Sequence, residues 1–406
     1  MTRHHYAGRQ PQRAHSIADL QRMAQRRLPG FAYEYVAGGA QDELTLADNR
    51  RAFAELGWRC RTLVDVRDIR CVTRLFGRDW PWPLGIAPTG YNGMLWPDAD
   101  IALARAAAAF DLPFTLSTVA CNSIEQVRAA APKARLWFQL YSLNDREVEN
   151  GLLERAQAAD CEALVVTTDA VVLGDRQWDK RNYRAPGSLT WRNRLDVLRH
   201  PGWAARVLWP HGMPTLGNLS AYLPADQQTA LGGAQFVGHQ MNRGLDRQTL
   251  VELRERWPGR LIVKGILDPR DARLCAEIGA DGIVVSNHGG RQVDGAPSAL
   301  ACIAAIRQAV GPEMTVLLDS GIRHGTDALK AIALGADGVL SGRATLYGVA
   351  AAGQAGAERA LSLLTGQIEH GLGVIGCPSL ERLGPDWLAP RGPAVRPSAP
   401  EAGDEY

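Results

Sequence analysis

A recurrence along the chain restricts its fold more than any other feature. From residue 83 onward, short apolar runs alternate with Ala/Leu/Arg-rich stretches of helical character. The runs are "PLGIAP" (83–88), "PFTLST" (113–118), "LWFQL" (136–140), "ALVVTT" (163–168), "LIVKG" (261–265), "GIVVS" (282–286), "TVLLD" (315–319) and "GVLSG" (338–342). Runs this apolar suit strands buried on both faces, the condition of a parallel sheet covered by its crossover helices. Two helix-to-strand joints repeat each other, "EIGADGIVVS" and "ALGADGVLSG", with Gly279 and Gly335 at equivalent places. Eight such units predict an α/β chain folded as a (β/α)8 TIM barrel, whose usual size is about 250 residues. A doubly wound sheet is the rival, but no Gly-x-Gly-x-x-Gly follows the first run.

Three segments lie outside the recurrence. Ser16-x-x-Asp19 reads as a capping box before "IADLQRMAQRRL", and Pro29 and Gly38-Gly39 break the stretch behind it, which predicts an N-terminal helical extension. Residues 171–260 are far longer than the usual βα loop of about two to six residues. This long insertion after the fourth strand carries Trp191, Trp203 and Trp209 among Arg192, Arg194, Arg199 and Arg206, a composition suited to an interface rather than a span. An active-site lid or an oligomer contact is the competing reading of about residues 187–223. Residues 389–406 are Pro/Ala-rich and are expected to be disordered, leaving 1–388 as a single domain.

Composition excludes several classes. The 406 residues are 46% hydrophobic and 22% charged with net charge +2, so no nucleic-acid partner is expected. Seven cysteines without C-x-x-C spacing argue for a reducing compartment and against a disulfide framework or a metal site. The N-terminus has no apolar signal core and no run of eighteen apolar residues occurs, so an intracellular chain is expected.

In a barrel the reactive groups gather at the carboxyl ends of the strands. Here those ends read Ala87-Pro88-Thr89-Gly90, Ser117-Thr118, Gln139-Leu140-Tyr141, Thr167-Thr168-Asp169, Lys264, "SNHGGRQ" (286–292), Asp319-Ser320-Gly321 and Gly342-Arg343. So many polar groups at buried strand ends cost free energy unless a network or ligand satisfies them. "DSGIRHG" and "SGRA" combine small residues with Arg323 and Arg343 after strands seven and eight, the common phosphate position of such barrels. This pattern by itself leaves open a barrel that binds a phosphorylated ligand without redox chemistry.

The motif "SNHGGRQ", with "YEYVAGGAQDE", "APTG", "WFQLY", "LIVKGI", "DSGIRHGTDALKAIALGADGV" and "GRATLYG", resembles the FMN-dependent α-hydroxy-acid dehydrogenases and oxidases from about Asp19 to about Leu388. The resemblance implies FMN as cofactor and oxidation of an (S)-2-hydroxy acid to the 2-keto acid. It makes His288 the base, Asp169 the residue that orients its ring, and Arg176 and Arg291 the clamp on the substrate carboxylate. Tyr35 and Tyr141 would hydrogen-bond the carboxylate and hydroxyl. Lys264 would stand by the flavin N1/O2 edge, with Ala87, Pro88, Thr89, Ser117, Gln139, Thr167 and Ser286 around the ring. Asp319 would meet the ribityl chain, and Gly321, Arg323, Gly342 and Arg343 the phosphate end. Val119 stands where glycolate-oxidising members carry tryptophan, and Gly90 where many carry alanine. Val119 implies room for an aromatic acid such as mandelate, and Gly90 bears on reactivity with oxygen. Ser320 replaces the commoner glycine. By the same resemblance the insertion would bind a membrane and pass electrons to a quinone, giving a peripheral protein on the cytoplasmic side of the inner membrane or a cytoplasmic one. A homotetramer is also implied. An L-lactate dehydrogenase or a soluble oxidase releasing hydrogen peroxide is the alternative within the family.

Overall fold

The computed structural model describes residues 4–185, 188–209, 212–228 and 230–391. Eight parallel strands close into a barrel: β1 (Leu84–Thr89), β2 (Pro113–Ser117), β3 (Arg135–Tyr141), β4 (Ala163–Thr167), β5 (Arg260–Ile266), β6 (Gly282–Val285), β7 (Thr315–Leu318) and β8 (Gly338–Ser341). Every apolar run forms its strand to within one residue, and β8 pairs β1 to close the ring through Val339–Leu84, Leu340–Gly85 and Ser341–Ile86. Helices on the outer face bury the other side of each strand, which is why the runs carry so few polar residues.

The interior of the barrel is a separate small core of Ala87, Trp137, Ala163, Val165, Ile262, Val284, Leu317 and Leu340. A hairpin of Thr73–Leu75 and Arg78–Trp80 closes it at the amino ends of the strands. Trp137 meets Trp80 at 5.7 Å and Phe76 at 5.9 Å between ring centroids. Aromatic pairs at this spacing add to plain burial, and they leave the carboxyl ends as the open end of the barrel.

Ahead of the barrel lie helices Ile17–Arg27, Gly30–Ala37 and Leu44–Glu55. The first starts as expected on Ser16, whose hydroxyl accepts from Asp19 N–H at 3.1 Å. The reciprocal half of the capping box does not form. The Asp19 carboxylate instead takes the N–H groups of Tyr6 (2.7 Å) and His15 (2.8 Å), because Tyr6 folds back over the helix start. The residues after β8 form two helices within Arg343–Ile375, meeting at a kink at Ala352–Gly353.

Two further expectations change. The tail is ordered beyond residue 388: Leu388–Pro390 pairs antiparallel with Leu56–Trp58, and Arg391 N–H donates to Glu55 O at 2.8 Å. Residues 392–406 lie outside the described residues. In the insertion, Trp203 is not interfacial. It is 1% exposed, packs edge-on to Phe31 at 5.7 Å and donates from Nε1 to Met94 O at 2.8 Å. Trp191 (60% exposed), Leu195 and Leu198 follow the i, i+4, i+7 spacing of one helix face over Trp191–Arg199, and Trp209 is 85% exposed. None of the described helices is long and apolar enough to cross a membrane.

Because Trp203 fills core and Trp209 does not, Trp203→Ala is expected to cost about 3–5 kcal/mol of stability. Trp209→Ala should change it by less than about 0.5 kcal/mol. Chemical denaturation of the two variants measures the difference.

Candidate active site

Side chains on a barrel strand alternate between the interior and the helical layer. Two residues beyond the interior positions Trp137, Val165, Ile262, Val284, Leu317 and Leu340 come Gln139, Thr167, Lys264, Ser286, Asp319 and Gly342. The apolar plug and the polar rim are therefore successive layers of one alternation. Across β2–β4, Ser117 Oγ donates to Gln139 Oε1 (2.9 Å) and Gln139 Nε2 donates to Thr167 Oγ1 (3.0 Å). Across β5–β7, Lys264 Nζ donates to Ser286 Oγ (2.8 Å) and pairs with Asp319 Oδ2 at 3.2 Å. Burial opposes the charge on Lys264, but Asp319 and Asp169 outweigh it and hold its pKa above the ordinary lysine value.

After β6 the chain makes a left-handed turn, with φ of 58° at His288, 68° at Gly289 and 72° at Gly290. The glycines adopt this freely, whereas a side-chain-bearing residue there costs on the order of 1–2 kcal/mol. The turn is held from below by Asn287, which exchanges two 2.8 Å amide hydrogen bonds with Asn49 of helix Leu44–Glu55. It directs His288 Nδ1 onto Asp169 Oδ1 at 3.0 Å. Burial lowers the His288 pKa despite the attraction of Asp169. Burial alone would raise Asp169, yet His288 and Lys264 keep its carboxyl below the usual range. At neutral pH the pair is a neutral imidazole tied through Nδ1 to a carboxylate, which leaves Nε2 as the proton-accepting nitrogen.

Cations gather on the other side of the turn, against the last carbonyls of helix Gly30–Ala37. Arg291 Nη1 donates to Tyr35 O (2.8 Å) and Gly38 O (2.9 Å). Arg343 donates to Val36 O (2.8 Å), Gly38 O (2.7 Å) and Gly289 O (2.8 Å). The negative end of a helix dipole favours both charges. Arg323 donates to Ile322 O at 2.8 Å and lies over the Tyr347 ring. Among the described residues no carboxylate hydrogen-bonds the guanidinium of Arg291, Arg323 or Arg343. Burial, with Arg291 and Arg323 nearby, lowers Arg343 to about 9. Arg176 approaches Asp179 at 3.7 Å and acts on Arg291 as a second positive charge. Part-buried cations without a hydrogen-bonded carboxylate favour an anion among them.

These groups border one cavity of about 310 Å³, within the range of about 300–1,000 Å³ common for small-molecule sites. It is lined by Tyr35, Ala87, Pro88, Thr89, Gly90, Ser117, Val119, Tyr141, Arg176, Lys264, His288, Arg291, Asp319, Gly321, Arg323, Gly342 and Arg343, all anticipated from sequence. Gln139, Thr167, Ser286 and Asp169 do not line it and hold the lining residues from behind through the hydrogen bonds above. Desolvation raises the pKa of both Tyr35 and Tyr141, so both keep their hydroxyl protons. Sequence reasoning missed Tyr91, Leu173, Leu346, and Val237 and Met241 from the far end of the insertion. No local signal marks the last two: they reach the cavity because Met241 bridges Leu143 just past β3.

Ala87 to Gly90 at the end of β1, a polar chain across β2–β4, and an arginine pair at the β7–β8 end whose guanidiniums hydrogen-bond no carboxylate among the described residues fit a cofactor with a planar ring and a phosphate. Fold and rim together define a barrel enzyme built around such a group. Residues 24–390 match the family described as FMN-dependent dehydrogenase, and the chain belongs to that family. Its cofactor is FMN. The chain is 40% identical to the (S)-mandelate dehydrogenase of Pseudomonas putida over 378 residues, 93% of this chain and 94% of that protein. It is 42% identical to the L-lactate dehydrogenase of Xanthomonas euvesicatoria pv. vesicatoria over 380 residues, 92% and 96% of the two chains. The crystal structure of the monotopic membrane protein (S)-mandelate dehydrogenase superposes with a TM-score of 0.89 at 40% identity, covering 93% of this chain and all of that one.

Arg323→Met removes one of the two cations at the β7–β8 end. A charge-assisted hydrogen bond contributes about 1.5–3 kcal/mol, so FMN affinity should fall by roughly tenfold to a hundredfold. Flavin absorbance retained through gel filtration reads this loss.

Proposed function

We propose that the protein oxidises an aromatic (S)-2-hydroxy acid, mandelate or a close analogue, to the 2-keto acid and passes the electrons to a membrane quinone. The observation that carries this reading is His288 held 3.0 Å from Asp169 in the cavity that Arg176 and Arg291 also line. FMN, when bound, supplies the acceptor for the two electrons that leave the substrate. Ala87, Pro88, Thr89, Ser117, Gln139, Thr167 and Ser286 would hold its ring or support those that do. Asp319 would hold its polyol, and Gly321, Arg323, Gly342 and Arg343 its phosphate. Lys264 would answer the negative charge that gathers on the reduced ring.

On the substrate side, Arg176 and Arg291 clamp the carboxylate, since planar guanidinium forks match it. The Tyr35 and Tyr141 hydroxyls orient the carboxylate and hydroxyl. His288 Nε2 takes a proton from the substrate, and Asp169 stabilises the imidazolium that results.

The apolar lining favours a bulky acid. The mouth is bordered by Val119, Leu173, Val237 and Met241, all apolar. Val119 and Gly90 also touch: a Cβ on Gly90 would lie 2.3 Å from Val119 Cγ2, so these two positions shape the wall jointly. The exposed face of Trp191, Leu195 and Leu198, with Trp209 exposed further along the chain, favours a lipid surface as the route to the acceptor. The similarity to L-lactate dehydrogenases supports the second reading, a lactate-oxidising enzyme.

Anaerobic mixing with (S)-mandelate or L-lactate tests the substrate, and admitting air tests the acceptor. Faster flavin bleaching by mandelate with slow return of colour is expected. Preference for lactate removes the aromatic reading, and rapid return with hydrogen peroxide indicates an oxidase. His288→Asn, an exchange tolerated in a left-handed turn, should retain FMN and lose bleaching by at least about a hundredfold.

Because burial lowers His288, with Asp169, Lys264 and Asp319 around it, kcat/KM should be flat at neutral pH. It should fall only as acid carries the solution below the ordinary histidine value of about 6.5. An acidic limb centred above 7 would contradict this.

Sedimentation with vesicles is expected for the intact chain. Trp191→Ser with Leu198→Ser and Trp209→Ser should abolish it without loss of bleaching.

A further inference from the structure

Ser320 stands out among residues to which the mechanism above gives no task. It is buried, and its φ of 75° lies in the left-handed region although it is not glycine. Its hydroxyl makes every hydrogen bond a hydroxyl can make, one donated and two accepted. Oγ donates to Asp319 Oδ1 at 2.8 Å and accepts from Gly289 N–H at 3.0 Å and Asn287 N–H at 3.4 Å.

Those contacts close a ring. Asp319 Oδ2 holds Lys264 Nζ at 3.2 Å, Lys264 Nζ donates to Ser286 Oγ at 2.8 Å, and Ser286 Oγ accepts from His288 N–H at 3.1 Å. From His288 the chain passes to Gly289, whose N–H returns to Ser320. The ring joins the ends of β5, β6 and β7, and Ser320 is the only member whose side chain touches both the acid of β7 and the turn after β6. Glycine would relieve the backbone at this position. The chain keeps a hydroxyl there despite the strain, and that hydroxyl is fully engaged.

We propose that Ser320 is a positioning residue that fixes the His288 turn to the Asp319–Lys264 pair, so that the base and the cation keep one geometry relative to each other. Without its hydroxyl, Gly289 and Asn287 N–H lose their acceptor and Asp319 loses a donor. The turn keeps Ser286, the Asn49 amide, Arg343 on Gly289 O and Asp169 on His288, but loses the side chain that ties it directly to Asp319. The inference rests on the reading of His288 as the base.

The test uses the full-length FMN-loaded protein with Ser320→Ala and Ser320→Gly, and whichever of (S)-mandelate or L-lactate bleaches the native flavin faster. The limiting bleaching rate should fall about tenfold or more in both, the order a small misplacement of a catalytic group costs. The half-saturating substrate concentration should stay within about twofold, because the arginine clamp is untouched. Ser320→Gly should keep FMN and a Tm above that of Ser320→Ala, since both lose the hydroxyl but only glycine relieves the backbone strain. A native rate in either variant overturns the proposal, as does a loss confined to the half-saturating concentration. His288→Asn run alongside separates the two ideas. Bleaching retained there defeats the base assignment itself, whereas bleaching lost there with native Ser320 variants defeats only the ring.

Discussion

One carbonyl oxygen, that of Gly38, accepts from both Arg291 and Arg343, and the arrangement of the site depends on that shared contact. Two guanidiniums at the same acceptor would repel each other in the open. They are held together by the electron-rich end of helix Gly30–Ala37, whose last carbonyls have no partner within the helix. The extension ahead of the barrel thus completes the rim. It supplies Tyr35 to the cavity, carbonyls to the arginines, and Asn49 to the His288 turn. Without it Arg291 and Arg343 would lose the carbonyls of residues 35, 36 and 38.

The charged groups at the rim fall into two kinds. Lys264 answers the carboxylates of Asp319 and Asp169, and the neutral His288 ring hydrogen-bonds Asp169 through Nδ1. Among the described residues, the guanidiniums of Arg291, Arg323 and Arg343 hydrogen-bond carbonyls and no carboxylate, and Asp179, Asp327 and Glu43 act on them only from a distance. Buried charge is tolerated where it is paired and waits for a counter-ion where it is not. A cofactor phosphate and a substrate carboxylate are anions of the kind this arrangement lacks.

The insertion divides in the same physical way. Trp203 packs on Phe31 and hydrogen-bonds Met94 O, which anchors the segment to the helical extension and to the loop after β1. Trp191, Leu195 and Leu198 turn one face outward on the same helix, beside arginines. Composition alone cannot divide three tryptophans between core and surface, because all three sit in equally basic, equally apolar surroundings along the chain.

The sequence by itself determined the barrel and most of the rim. Strand burial on both faces forces continuous apolar runs, and the period of two carries the eye from Trp137 to Gln139 and from Ile262 to Lys264. "SNHGGRQ" was legible because two glycines after a buried strand permit the turn that presents a histidine and an arginine. What only the tertiary structure decided are contacts between segments far apart in the chain. These are Arg343 on the carbonyls of residues 36 and 38, Asn49 on Asn287, Met241 at the cavity mouth, residues 388–390 on 56–58, and Ser320 closing its ring. A carbonyl or a hydroxyl looks the same everywhere in a sequence. Its partner is chosen by distance in the closed barrel, which no local pattern records.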